Sequence, residues 1–161
     1  HEFRFRADAP FDAIFDETLL AMHESGALGR DGSGDLIPGP GADGWSGGEW
    51  LELYAAVVTN FIEGYRVAAR GLALLLKGPL GEKELTKKTL ALGNRMFFAG
   101  ELSRKESVSK PLIEGALAAF VDQGYLSKVD GKLALTDTFA DEAAVGTIES
   151  KIALFVGESE A

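Results

Sequence analysis

Apolar residues recur at helical spacing along most of the chain, and turn-bounded short runs interrupt them twice. Behind Asp8 and Pro10, residues Phe11, Ile14, Phe15, Leu19 and Met22 fall at a 3.6-residue period, predicting a helix that Pro10 opens and Gly26 closes. In ALGRDGSGDLIPGPGADG the pairs Asp31-Gly32 and Ser33-Gly34 separate short apolar pieces, predicting a hairpin and then a Gly/Pro loop. SGGEW starts the next helix, with Ser46 as cap and Glu49 reaching back to the cap's amide. From Trp50 to Lys77 the pattern is apolar on most of its circumference, with Glu52, Glu63, Arg66 and Arg70 in a narrow stripe. That predicts the buried spine of a domain, with Gly64 and Gly71 marking close crossings or a bend and Gly78-Pro79 the stop.

Residues 80 to 99 predict a third helix, with Leu85, Leu92 and Met96 on one face and Lys83 and Lys87 on another. GELSRKES gives a break or a short helix, after which Ser107 or Ser109 caps a helix with Pro111 in its first turn. Its residues Leu112, Ile113, Ala116, Leu117 and Phe120 face a core, and Gly124 ends it. Tyr125-Leu126, a turn at Asp130-Gly131, then Leu133 and Leu135 predict a second hairpin. Val145, Ile148, Ile152 and Phe155 predict a last amphipathic helix. Gly26 and Leu28 match Gly124 and Leu126 in two similar helix-to-hairpin passages. The fold class expected is mostly α, a helical domain with two short β-hairpins whose C-terminal part is winged-helix-like. Two parts are expected: residues 1–45, with the first helix, hairpin and loop, and residues 46–161, a helical core containing the winged-helix-like segment 80–136 and the last helix.

Charge changes this picture most. Net charge is −9, yet residues 77–110 hold 8 basic and 4 acidic side chains. The candidate surface for an anionic partner is therefore Lys83, Lys87, Lys88, Arg95, Arg104, Lys105 and Lys110. At 161 residues the chain can bury roughly 70% of its unfolded surface. Without cysteine it has no disulfide, thiolate metal site or cysteine nucleophile. No uninterrupted apolar run is long enough to span a membrane, and the start His1-Glu2-Phe3 reads as a fragment or tag remnant.

Tempting motifs lack their chemistry. GWSGG has the G-x-S-x-G spacing of a nucleophile elbow, but no histidine follows it, so Ser46 reads as a cap. GPGADG has no strand before it, and DGSGD carries Leu36 and Ala42 where a calcium loop needs Gly and Glu. His23 reads as a solvated residue near a helix C-terminus. In a winged-helix DNA reader the helix from Ser107 to Gln123 would enter the groove, but its charges are Lys110 against Glu114 and Asp122.

FRADAPFDAIFDETL, WLELYAAVVTNFIEGYRVAARGLALL, ALGNRMFFAGELSRKESVSKPLIEGALAAFVDQGYL and DGKLAL, taken in order, resemble the C-terminal domain of the large glycerol-3-phosphate and dihydroxyacetone-phosphate acyltransferases. The resemblance runs over about residues 3–156. It implies a parent enzyme, peripheral on the cytoplasmic side of a membrane, that moves an acyl group from acyl-CoA to glycerol 3-phosphate. The family's H-x-x-x-x-D is absent, since Leu28 stands five positions after His23 and Arg6 five after His1. The expectation is thus a soluble, non-catalytic accessory domain with no cofactor or metal. Its partners would be the catalytic domain of the same polypeptide and an anionic lipid surface; the alternative is a free-standing winged-helix DNA-binding regulator.

Overall fold

The computed structural model describes residues 11–155, with side chains from residue 15 onward. Asp8, Pro10 and the side chains of Phe11 and Ile14 lie outside the described residues. Two compact units divide the chain, residues 1–57 and 58–161.

In the first unit, α1 (Phe11–Glu24) leads into an antiparallel pair, β1 (Leu28–Arg30) and β2 (Leu36–Pro38), with Leu28 opposite Pro38. Gly26 ends the helix at φ +77°, a conformation that costs glycine no Cβ clash. The turn between the strands is tied by Asp31, whose Oδ1 accepts from the amides of Ser33 (2.8 Å) and Asp35 (3.0 Å). The long helix α2 (Gly47–Gly71) starts in this unit from the Ser46 cap. Glu49 N donates to Ser46 Oγ (3.2 Å) and Ser46 N to Glu49 Oε2 (2.7 Å), the reciprocal box that the spacing predicts.

The expected spine needs correction in two respects. Leu53, Tyr54, Val57 and Val58 are exposed, so beyond Gly47 at its start α2 has buried residues only from Glu63 onward. The α-helix also ends at Gly71 and tightens into a 3-10 helix over Leu72–Lys77. A Cβ on Gly71 would stand 2.4 Å from Thr89 Oγ1, so the crossing of the two helices admits only glycine there.

Leu80 was expected to open the third helix; it instead belongs to β3 (Leu80–Gly81), because Gly78 at φ +126° turns the chain and sets Leu80 opposite Leu133. Then come α3 (Glu82–Phe98), α4 (Lys110–Asp122), β4 (Leu126–Val129), β5 (Lys132–Leu135) and α5 (Glu142–Ala153). The sheet order is β3-β5-β4, so the second hairpin gains a third strand. Asp130 (φ +50°) and Gly131 (φ +74°) make its tight turn.

Gly100 and Gly124 end α3 and α4 in the same way. Their own amides reach Phe97 and Val121, and the next residues' amides reach Met96 and Phe120. Val67, Leu72, Leu85, Met96, Ile113, Leu117 and Phe120 form the dry centre, closed by Leu126 and Leu133 from the sheet and Val145 and Ile148 from α5. Phe155, expected on that face, is 74% exposed because α5 has already ended.

Candidate functional site

On α3 the buried residues Leu85, Thr86, Thr89, Gly93 and Met96 define one side. Lys83, Lys87, Lys88 and Arg95 are exposed, with helical angles that fall on the opposite side. Lys88 pairs with Glu84 at 2.8 Å, which holds the Glu84 carboxyl below its usual range. Lys83, Lys87 and Arg95 have no ion-pair partner among the described residues. Arg104 and Lys105 are exposed in the passage between α3 and α4, and Lys110 opens α4 and meets Glu114 at 3.6 Å. Of the seven cations singled out from sequence, four thus share α3, two lie on the segment that follows it and one opens α4.

Behind that segment lies an arrangement not anticipated from sequence. Glu63, read as part of a polar stripe, is 1% exposed. Its Oε1 accepts from Ser103 N (2.6 Å) and Ser103 Oγ (2.7 Å), and its Oε2 from Arg104 N (3.2 Å) and Ser107 Oγ (2.5 Å). Burial pushes this carboxyl's pKa up, but the hydrogen bonds from Ser107, Ser103 and Arg104 together outweigh it, so the group stays below its ordinary value. Ser107 is therefore not a helix cap: its hydroxyl is taken by Glu63, and Ser109 precedes α4 without a side-chain cap bond.

Three and seven positions after Glu63 on α2, two arginines continue the stripe. Arg66 donates to the Glu101 carbonyl (3.1 Å) and to Glu149 (3.3 Å). Arg70 bonds the Glu101 carboxylate and reaches Glu149 of α5 through Nε (2.9 Å) and Nη2 (2.5 Å). The hydrogen bonds that Arg70 donates to Glu149 and Glu101 hold its pKa above the ordinary value. The available signal was the angular position of Glu63, beside the apolar face that Val67 continues.

The remaining motifs resolve simply. Ser46 is a cap, Asp31 ties its own turn, and exposed His23 borders a groove of about 330 Å³ with Asp16 and Arg30. Among the described residues no group of three or more His, Cys, Asp or Glu could hold a metal ion. No described helix is long and apolar enough to cross a membrane.

The chain is mostly helical over its described residues, with two small antiparallel sheets and an exposed basic face on α3. It belongs to the family of the glycerol-3-phosphate acyltransferase C-terminal region, whose model matches residues 1–129. Among curated proteins none matches the chain.

Proposed function

We propose that this chain is a non-catalytic C-terminal accessory domain of a glycerol-3-phosphate 1-O-acyltransferase, and that it packs against or regulates the catalytic domain through its basic face. The observation that carries the reading is the set of exposed cations on α3, Lys83, Lys87 and Arg95, left without an ion-pair partner among the described residues in a chain of net charge −9. Membership of the family of the glycerol-3-phosphate acyltransferase C-terminal region supports acyl transfer to glycerol 3-phosphate as the parent activity. The absence of H-x-x-x-x-D from the sequence supports a non-catalytic role.

Joint reversal of Lys83, Lys87 and Arg95 to Glu in the full-length enzyme tests it. Three exposed pairs at about 0.5 kcal/mol each amount to about a tenfold fall in activity. Activity and membrane attachment that both stay at the wild-type level would overturn the proposal. Loss of attachment with the extracted enzyme fully active would assign the face to anionic lipid. An antibody against this chain should detect, in native membranes, a polypeptide several times its 17.1 kDa.

A second reading has one observation in its favour: the sheet order β3-β5-β4 beside α3 and α4 resembles a winged helix, the frame of many DNA-binding regulators. In that frame α4 would face DNA, and its Lys110 is already paired with Glu114. Salt-sensitive binding to duplex DNA near physiological ionic strength would favour this reading.

A further inference from the structure

Between α3 and α4 the segment 101–107 is anchored to the apolar core by Leu102, and the rest of its attachment is polar. Three side chains from one stripe of α2 hold it. Glu63 accepts bonds from Ser103, Arg104 and Ser107; Arg66 takes the Glu101 carbonyl; Arg70 takes the Glu101 carboxylate. A carboxylate that is 1% exposed is costly to bury. Here the cost is met by four bonds that all go to this one segment. What the segment then offers to the outside is Arg104 and Lys105, both exposed and without an ion-pair partner among the described residues.

We infer that Glu63 is a positioning residue that templates segment 101–107, so that Arg104 and Lys105 form a pre-set contact for an acidic face of the catalytic domain. This rests on the accessory-domain reading above. Fixing the backbone before the partner arrives removes an ordering cost from binding, and the planar guanidinium of Arg104 suits a carboxylate. The flanking charges favour a protein over a bilayer. A lipid-binding segment needs a dense run of cations, whereas Arg104 and Lys105 are bracketed by Glu101 and Glu106, a pattern suited to discrete pairing.

The test is the reactivity of the Lys105 amine toward acetic anhydride, compared between this chain alone and the full-length acyltransferase. Protection of about tenfold is expected in the full-length protein. Glu63→Gln, whose NH2 group sets a donor against either the Ser103 or the Arg104 amide in place of an acceptor, should abolish protection while far-UV circular dichroism stays unchanged. If that variant does not fold, Arg104→Glu carries the test, since it leaves the core untouched and should also expose Lys105. Equal reactivity in both proteins, in an enzyme that still depends on Lys83, Lys87 and Arg95, would overturn this inference and leave the accessory reading standing. Protection that arises only with phosphatidylglycerol vesicles would overturn it in favour of lipid. A native polypeptide without acyltransferase activity would remove the accessory reading itself.

Discussion

Thr89 and Gly71 meet where α3 crosses the end of α2, and the two residues carry opposite expectations. The Thr89 hydroxyl is fully buried and has no hydrogen-bond partner among the described residues. Replacing it with the near-isosteric valine removes an unsatisfied donor, so Thr89→Val should raise unfolding stability by about 1 kcal/mol in urea titrations. Gly71→Ala drives a methyl into Thr89 and should lower it by about 1–3 kcal/mol. At Glu63 the prediction concerns pH. Its pKa is depressed in the folded chain, so its stabilising contribution is present above the ordinary value of 4.5 and is lost as pH falls through the lower folded value. Acid titration of the unfolding free energy should therefore show a decline in that window that is shallower in Glu63→Gln. Gly71 was legible as an interruption of a helical pattern, whereas Thr89 and Glu63 were not, because nothing local says that a polar side chain will be covered.

The elements owe their limits to short signals. Ser46 and Glu49 close the box that begins α2, and Ser46→Ala should cost about 1 kcal/mol, read as a lowered thermal midpoint. Asp130-Gly131 turns β4 into β5 with both residues at positive φ, and Gly131→Ala should cost about 1–2 kcal/mol by the same measurement. Gly26, Gly100 and Gly124 each close a helix in the left-handed conformation, which makes the matching of Gly26 with Gly124 a shared capping solution. Where the local signal is ambiguous, a distant partner decides the element. Leu80 follows Gly78-Pro79 and precedes Glu82 as a helix start would, but pairing with Leu133 makes it a strand. Ser107 and Ser109 were equal candidates for the cap until Glu63 took the first.

Across the second unit, Arg66 and Arg70 tie α5 and segment 101–107 to one stripe of α2. Arg70→Met should leave helical content unchanged and raise amide exchange over residues 101–107 and 142–153 together, since both lose the same anchor. The positions of five helices, the hairpin turns, the Ser46 box and the basic bias of residues 77–110 were determined by sequence alone, because periodicity, capping and composition act within a few residues. Tertiary structure alone decided that Glu63 and Ser107 are buried together, that Leu53, Val57 and Val58 are exposed, and that a third strand joins the C-terminal hairpin. Burial and pairing depend on which distant element covers a face, and that information is spread over residues 40 or more positions apart, as from Glu63 to Ser103.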